Sequence, residues 1–259
     1  MSNKFSVVIV CRNEASIISK ALDAVSSLTD DVFVYDNGST DDTISILKEY
    51  KVRFEQGEWL GYGKTKKLAV ENARYDWVLN IDADEVPDEK LQQELKNISF
   101  TAGSVYKVKF RNFLGDKYLQ WGEWGNDKHV RLFNRKEVNW NDADIHEQLN
   151  IPEGTKVVML KGYILHYTMK DLVEYSHKMV RYALLNAEKY YLQGKNSSLL
   201  KIYGSPAFSF IKHYFFQLGF LDGWEGLITA RMTSYYTFLK YSRLYELNKL
   251  KKPAKRGGV

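Results

Sequence analysis

Residues 76–85 read DWVLNIDADE, and this stretch decides the fold that we predict. Its short apolar run is typical of a strand buried on both faces, as strands of parallel sheets are. Asp82 and Asp84 follow this apolar run, and we expect them on one side of an extended segment. Ligands of open α/β sheets bind beyond the carboxyl ends of the strands. The stretch therefore predicts a buried strand with a site directly after it.

The residues before this stretch repeat the same pattern of strand and helix. FSVVIV at 5–10, DVFVY at 31–35 and the segment 52–55 are predicted strands, and apolar residues at helical spacing separate them. Alternation of this kind over the first 85 residues predicts a parallel sheet with right-handed crossovers.

The remainder of the chain changes character twice. Strands of mixed alternation are predicted between residues 101 and 168, and the chain is predicted to be helical from Asp171 onward. We expect breaks in the helical part near Gly194 and at Ser205-Pro206. We therefore divide the chain into residues 1–168, with halves 1–100 and 101–168, and a helical region 169–259.

Composition places the chain among ordinary globular proteins. It has 259 residues, of which 44% are hydrophobic and 27% charged, enough for one large domain or a domain with an appendage. Its single cysteine, Cys11, excludes an intrachain disulfide and indicates a reducing compartment. Residues 1–13 lack the pattern of a secretory signal, so we expect a cytoplasmic protein.

Asp82 and Asp84 are the first candidate ligands for a divalent metal. Hard cations such as Mg²⁺ and Mn²⁺ prefer carboxylate oxygen and also bind phosphate oxygen, so a metal here would neutralise a departing diphosphate. A lone Asp-x-Asp pair is common, and an acidic turn is the alternative. Asp36, in YDNGSTDDT, ends the second predicted strand, where its carboxylate can accept hydrogen bonds from a base or ribose, beside a turn at Asn37-Gly38.

Two further segments offer groups for a nucleotide. Arg12 and Glu14 follow the first strand and either face the phosphates and the nucleotide or only form a loop and a helix start. The segment GYGKTKK at 61–67 can bring backbone N–H groups and a cation toward phosphates. This segment matches neither the Walker pattern nor the dinucleotide fingerprint.

Three residues further along complete the candidate site. Transfer of a group to a hydroxyl needs a base, for which Glu147 is the first candidate and Asp144 the second, against a plain surface loop. His166 ends a predicted strand and is either a third metal ligand or a structural histidine. Trp121, Trp124 and Trp140 are candidate platforms for stacking an acceptor.

Together these motifs resemble a known family. SVVIVCRNEA, YDNGSTDDT, GYGKTKK, DWVLNIDADE and DIHEQL occur in the order found in family 2 glycosyltransferases of the GT-A fold. The stretch LDGWEGLITARMTSYYTFLKYSRLYE also resembles the bacterial lipopolysaccharide-core β-glucosyltransferase group, to which the resemblance is closest, and the similarity covers nearly the whole chain.

The resemblance implies a fold, a reaction and a set of roles. The fold would be a GT-A nucleotide-sugar-binding, Rossmann-like α/β domain with a mixed, mainly parallel sheet and a C-terminal helical region. The enzyme would be an inverting, hexosyltransferase-like glycosyltransferase that uses Mn²⁺ or Mg²⁺ and a nucleotide-sugar donor, a UDP-sugar first. Asp36 would contact the nucleoside, and Asp82 and Asp84 would hold the ribose and the metal. His166 would be a further metal ligand. Lys67 would be the basic residue after the Gly-rich loop, and Glu147 would be the base. The acidic pair of the family reads His-Glu here, which is a departure.

The acceptor implied by the resemblance is a saccharide, in particular a lipid-linked one. Residues 206–223, PAFSFIKHYFFQLGFLDG, are rich in aromatic residues, and a basic tail follows them. Charged residues interrupt the apolar runs, so we expect no membrane-spanning helix. The hypothesis is that residues 205–259 dock on the inner face of the cell membrane as a peripheral surface, and the alternative is helices packed on the catalytic domain.

Two other functions compete with sugar transfer. A metal-dependent nucleotidyltransferase acting on sugar phosphates would typically have a Gly-rich basic signature after the first strand, where this chain reads CRNEAS. A non-catalytic module for polyanions would fit the net charge of +5 and the basic tail. Nucleic-acid binders usually spread basic residues over one face, while this cleft is acidic, so we expect no nucleic-acid partner.

Overall fold

Strands and helices alternate along the chain up to residue 82. The structure, a computed structural model, describes residues 4–141 and 148–250. Its strands are β1 (Ser6–Cys11), β2 (Val32–Asp36), β3 (Arg53–Gln56), β4 (Trp77–Asp82), β5 (Glu85–Pro87), β6 (Ser104–Leu114), β7 (Lys117–Leu119), β8 (Lys128–Asn134), β9 (Asn139–Trp140), β10 (Leu149–Asn150) and β11 (Lys156–Met169). Its helices are α1 (Ile18–Ser26), α2 (Thr43–Glu49), α3 (Tyr62–Glu71), α4 (Glu89–Lys96), α5 (Leu172–Leu192), α6 (Leu199–Ile211) and α7 (Gly223–Leu250).

One mixed sheet organises most of these strands. Its order is β3-β2-β1-β4-β8-β6-β11-β5, and β7 pairs with β6. The strands β3, β2, β1 and β4 run parallel, and β8 joins β4 antiparallel. The order 3-2-1-4 reverses direction at β1, which is where doubly wound sheets bind their ligands. The predicted α/β class, with a mixed sheet and a C-terminal helical region, is confirmed.

The central strand β1 shows why the sheet needs helices on both faces. Side chains alternate along a strand, so Val7 and Ile9 enter one buried cluster while Val8 enters another. Helix α1 contributes Ile18 and Leu22 to the first cluster through its apolar stripe. A continuous apolar strand therefore produces two core layers, as the sequence predicts.

The chain forms two compact units. The first comprises Met1–Arg111 with Asp127–Thr168, and the second comprises Asn112–Asn126 with Met169–Val259. The second unit has its own core, which includes Leu119 and the fully buried Tyr175. The functional boundary that we predict at residue 168 stays a prediction, and the compact units differ from it by grouping residues 112–126 with the helices.

The predicted break at Ser205-Pro206 is wrong. Helix α6 continues through Pro206, although proline removes one helical hydrogen bond. Ile202, Pro206 and Ser209 form the buried face of α6, so packing outweighs the lost bond. The helical path instead changes after Ile211, through a π-helical turn at Lys212–Phe216 and a 3₁₀ turn at Gly219–Asp222.

Gly226 explains the sharp turn that follows. A Cβ atom on Gly226 would lie 1.8 Å from the carbonyl oxygen of Gly219, so only glycine allows this approach.

Within the described ranges, no helix is both long and apolar enough to cross a membrane.

Helix α4 is an element that the sequence analysis did not predict. Its N-cap is Asp88, whose carboxylate accepts the Leu91 N–H at 2.8 Å, and its buried residues are Leu91 and Leu95. A capping aspartate before apolar residues four positions apart is a sequence signal for a helix start. The helix was therefore predictable.

Candidate active site

The carboxyl ends of three parallel strands bring the candidate residues to one edge of the sheet. Cys11 lies beside Asp36 in the register of β1 with β2, and Val10 lies beside Asp82 in the register of β1 with β4. This edge is the ligand-binding edge that the topology predicts.

Asp82 is held by a buried lysine. Both carboxylate oxygens of Asp82 lie 3.1 Å from Lys66 Nζ, and the Lys66 side chain is only 8% exposed. Arg131 Nη2 lies 3.9 Å from the same carboxylate. Burial opposes ionisation of Asp82, but the two cations outweigh it, so the pKa of Asp82 is held below its usual value. Asp82 is therefore an anion at neutral pH.

A buried ion pair supports Asp82 from behind. Arg131 donates to both oxygens of Glu85, at 2.8 Å from Nε and 2.5 Å from Nη2, and the Glu85 side chain is 1% exposed. Glu85 also accepts the backbone N–H of Asp82 at 3.3 Å. Burial alone would lower the pKa of Arg131, but Glu85 raises it. This bidentate pair fixes the end of β4.

The expectation that Asp82 and Asp84 lie on one side of an extended segment is wrong. The chain turns at Ala83 and Asp84, because β5 must return to pair antiparallel with β11. Asp84 accepts the Tyr167 N–H through its backbone oxygen at 2.9 Å, and its carboxylate lies 3.4 Å from His166 Nε2. The turn thus directs the two aspartates to different partners.

Asp84 and His166 fit the ligand set of a divalent metal. Carboxylate oxygen and imidazole nitrogen both suit Mn²⁺, and Mg²⁺ accepts one carboxylate together with phosphate and water oxygens. Both side chains are partly exposed, at 23% and 17%. Across residues 4–141 and 148–250, no three His, Cys, Asp or Glu residues converge on one metal position. The chain offers two neighbouring ligands there, and a diphosphate would supply others.

Asp36 organises the loop after β2. It is completely buried, and it accepts the N–H groups of Gly38 at 3.0 Å and Ser39 at 2.9 Å, the Ser39 hydroxyl, and Gln56 Nε2 at 3.3 Å. This geometry realises the turn that the sequence predicts. A contact of Asp36 with a nucleoside stays a prediction.

The other predicted nucleotide contacts flank this loop. Arg12 is exposed, and Glu14 donates its backbone N–H to Thr43 Oγ1 at 2.9 Å. Between them, Asn13 adopts a left-handed φ of 57° and accepts the Thr40 N–H at 2.7 Å. Lys67 lies on α3 with a partly exposed side chain. The loops after β1 and β2 are therefore joined, while the roles of Arg12, Glu14 and Lys67 stay predictions.

The two candidate bases, Asp144 and Glu147, lie outside the described residues. They belong to the connection between β9 and β10, which pair antiparallel at Trp140 and Leu149. The Trp140 indole N–H donates to Asn80 Oδ1 at 2.8 Å, and Lys66 Nζ lies 5.0 Å from its ring. Trp140 is only 5% exposed, so its predicted role as a stacking platform is wrong.

Sequence pattern did not indicate Glu85, Arg131 or Asn80 as site residues, and it included Lys66 only within the segment 61–67. Lys66 falls on the buried stripe of α3 with Ala69 and Val70, and a lysine in an apolar stripe signals a partner. Asn80 similarly interrupts a buried strand. The pairing of Glu85 with Arg131 spans 46 residues, and no local pattern indicates it.

Comparison with known proteins gives three findings. The family model described as glycosyl transferase family 2 matches residues 6–151. An uncharacterized glycosyltransferase of Rickettsia prowazekii is 30% identical over 95% of this chain and 88% of its own length. The lipopolysaccharide core biosynthesis glycosyltransferase LpsC of Rhizobium meliloti is 27% identical over 95% of this chain and 93% of its own length.

A solved structure also aligns with part of the chain. The glucosyl-3-phosphoglycerate synthase of Mycobacterium tuberculosis, in complex with Mn²⁺, uridine diphosphate and glucosyl-3-phosphoglycerate, is 25% identical. The alignment covers 42% of this chain and 44% of that protein, with a TM-score of 0.35.

Proposed function

Because the chain belongs to glycosyltransferase family 2, we propose that it moves a sugar from a nucleotide-sugar donor to a hydroxyl of a saccharide acceptor. It is a glycosyltransferase with the GT-A fold, and we take a UDP-sugar as the first donor to test. The observation that carries the proposal is the edge where Asp82, Asp84 and His166 stand near Lys66 and Arg131.

The donor diphosphate would bind at this edge. Asp84 and His166 would hold Mn²⁺ or Mg²⁺, which when bound would neutralise charge on the leaving diphosphate. Asp82, kept ionised by Lys66 and Arg131, is suited to accept hydrogen bonds from ribose hydroxyls. Lys67 and Arg12 add positive charge for phosphate, and Asp36 and Glu14 are the proposed contacts to the nucleoside.

The transfer would proceed with inversion in one step. The acceptor oxygen forms a bond to the anomeric carbon while the bond from that carbon to the diphosphate oxygen breaks on the opposite face. Glu147 takes the acceptor proton, and Asp144 is the second candidate for this base. One carboxylate suffices, because no covalent sugar–enzyme intermediate forms. Electrostatic stabilisation of the diphosphate is the largest contribution that the site must make.

The acceptor that we propose is a glycan of the cell envelope. The relative named for lipopolysaccharide core biosynthesis covers 95% of this chain, which supports a lipid-linked core saccharide as the acceptor. We further propose a cytoplasmic protein that docks on the inner face of the cell membrane through its C-terminal helices.

Hydrolysis of nucleotide sugars without acceptor tests the proposed chemistry. Purified full-length protein is incubated with a panel of nucleotide sugars in Mn²⁺ or Mg²⁺, and the released nucleotide is identified. Slow release of a nucleoside diphosphate supports sugar transfer. Formation or consumption of pyrophosphate would indicate a nucleotidyltransferase, and no turnover of any nucleotide sugar would favour a non-catalytic module.

A further inference from the structure

The second unit carries apolar side chains on its surface over one continuous stretch, residues 199–224. Leu200 is 82% exposed, Phe216 73% and Trp224 68%. Others that are exposed include Leu199, Tyr203, Phe208, Ile211, Phe215, Leu218, Phe220 and Leu221. Isolated exposed apolar side chains are ordinary, but so many within 26 consecutive residues indicate an interaction site.

Charge on the same stretch has one sign at the surface. Its only acidic residue is Asp222, which is 3% exposed and accepts the backbone N–H groups of Gln120 at 3.1 Å and Trp121 at 2.7 Å. Lys201 and Lys212 are both exposed. An apolar surface with lysines and with its single carboxylate turned inward suits an anionic bilayer surface.

A cleft of about 630 Å³ opens beside this surface between α6 and α7. Lys201, Lys212, His213 and Lys240 contribute its basic groups, and Phe208 and Tyr241 contribute aromatic surface. Among the described residues that line the cleft, none is acidic. The cleft is wide open to solvent, and its lining suits an anionic group attached to an apolar chain at a surface.

Lys240 is the half-buried cation of the cleft, and burial lowers its pKa below the usual value for a lysine. Its ammonium group lies about 5 Å from the ring centres of Tyr236 and Tyr241, at 5.1 and 5.0 Å, and 5.3 Å from that of Tyr190. At the rim, Lys201 Nζ donates to the carbonyl oxygen of Asn196 at 2.8 Å, and His213 Nδ1 lies 2.6 Å from Gln217 Oε1. An anion entering the cleft would therefore meet cations on both helices.

We propose that the cleft between α6 and α7 binds the phosphate-bearing head group of an anionic membrane lipid. The exposed apolar side chains of residues 199–224 would enter the interface around it. The inference rests on the membrane docking that we propose above, and it names the lipid class and the residues that would recognise it.

Binding of the full-length protein to vesicles tests the inference. Vesicles of phosphatidylcholine alone are compared with vesicles that also contain phosphatidylglycerol, and the bound fraction is measured by cosedimentation. We expect binding to require phosphatidylglycerol. Lys201→Gln with Lys212→Gln should weaken it roughly 25-fold, about fivefold for each lysine.

The matched control is Lys90→Gln with Lys161→Gln, which removes the same charge from exposed lysines of the first unit. We expect it to weaken binding by less than about twofold. An equal loss of vesicle binding in both double variants would show that the attraction is diffuse, and it would overturn the proposal that the cleft binds the lipid. Absence of binding of the wild-type protein to any vesicle would overturn the inference altogether.

Two soluble competitors separate the sources of phosphate. Dihexanoyl-phosphatidylglycerol should displace the protein from vesicles, whereas inorganic phosphate at the same concentration should not. Equal displacement by both competitors would overturn the proposal that the ligand is a lipid and would indicate that the cleft binds a free anion. Nucleotide-sugar binding is measured for every variant and should stay unchanged, so loss of lipid binding is distinguishable from failure of the proposed transferase.

Discussion

The two compact units depart from the usual distribution of residues in opposite ways. The first unit buries charge, with Glu85 and Arg131 paired inside it and Lys66 against Asp82. The second unit exposes apolar groups, including Phe216 and Trp224. Most proteins place charge outside and large apolar groups inside, so buried charge and exposed apolar surface are the informative exceptions. Here one exception marks the proposed chemistry and the other the proposed membrane surface.

Replacing Asp84 by alanine should break the first unit's function most severely. We expect Asp84→Ala to lower kcat/KM for sugar transfer by at least about a thousandfold, because the diphosphate loses its counter-charge. Circular dichroism should show an intact fold. The control is Asp116→Ala, an exposed carboxylate of the second unit, which should keep normal activity. Near-normal turnover of Asp84→Ala with metal present would refute the metal role.

Loss of the arginine from the buried pair of Arg131 with Glu85 should destabilise the fold far more than loss of the arginine from a surface pair. Arg131→Met leaves Glu85 unpaired and should lower the free energy of unfolding by about 3–5 kcal/mol. The contrast is Arg243→Met, which removes a 2.7 Å pair with Glu246 on the surface of α7 and should cost less than about 1 kcal/mol. Urea denaturation measures both, and similar losses would contradict the distinction that we draw.

Asp31 tests the opposite edge of the parallel sheet. It accepts hydrogen bonds from Ser6 and Arg53 side chains and from the Arg74 N–H, with distances of 2.5, 2.7 and 2.8 Å. Burial opposes its ionisation, but these donors outweigh burial and hold the pKa of Asp31 below its usual value. We expect Asp31→Asn to cost about 1.5–3 kcal/mol at pH 7.

The pH dependence of that loss has a definite sign. Because the folded pKa of Asp31 is lowered, its contribution is complete above the unfolded value of about 3.9 and declines as pH falls below it. The difference between wild type and Asp31→Asn should therefore shrink in denaturation curves measured below about pH 4. A difference that grows on acidification would show that another group controls it.

Neighbouring lysines of α3 should separate a structural role from a binding role. Lys67→Gln should raise the donor KM about tenfold through a lost phosphate contact, with little change in stability. Lys66→Gln should instead destabilise the fold by about 1–3 kcal/mol, because it removes the partner of Asp82. Steady-state kinetics and thermal unfolding of both variants decide the matter, and the reverse pattern would exchange the two roles.

The exposed apolar surface should contribute least to folding. Phe216→Ser should change the free energy of unfolding by no more than about 0.5 kcal/mol, because the side chain is 73% exposed. Leu79→Ala, at a fully buried position of β4, should cost about 2–5 kcal/mol. A large loss for Phe216→Ser would indicate that this surface belongs to the core of the fold.

The sequence predicted those features that local pattern controls. The apolar runs of β1, β2 and β4 fixed the parallel strands, and the strand ends placed Asp36 and Asp82 at one edge. The helix break predicted at Pro206 was wrong because packing of the α6 face outweighs a single lost hydrogen bond. The turn at Ala83 and Asp84 was also missed, because it depends on β5 pairing with β11, which lies far along the chain.

The ion pairs of the site could not be predicted from local sequence patterns for the same reason. Arg131 reaches Glu85 only after β8 has joined β4, and Lys66 meets Asp82 only after α3 has packed on the sheet. Lys66 has a local signal in its place on the apolar stripe of α3, whereas no local pattern distinguishes Glu85 or Arg131 from an ordinary surface charge. Their burial identifies them, and burial is a property of the folded chain.

Titration calorimetry of UDP against the purified protein tests the central claim most directly, with Mn²⁺ and then with EDTA, for wild type and Asp84→Asn. If Asp84 holds a metal against the diphosphate, EDTA weakens UDP binding to wild type at least about tenfold. Asp84→Asn in Mn²⁺ should then bind UDP only as weakly as wild type does in EDTA. Equal affinity of wild type with Mn²⁺ and with EDTA, or wild-type affinity of Asp84→Asn in Mn²⁺, would contradict the account.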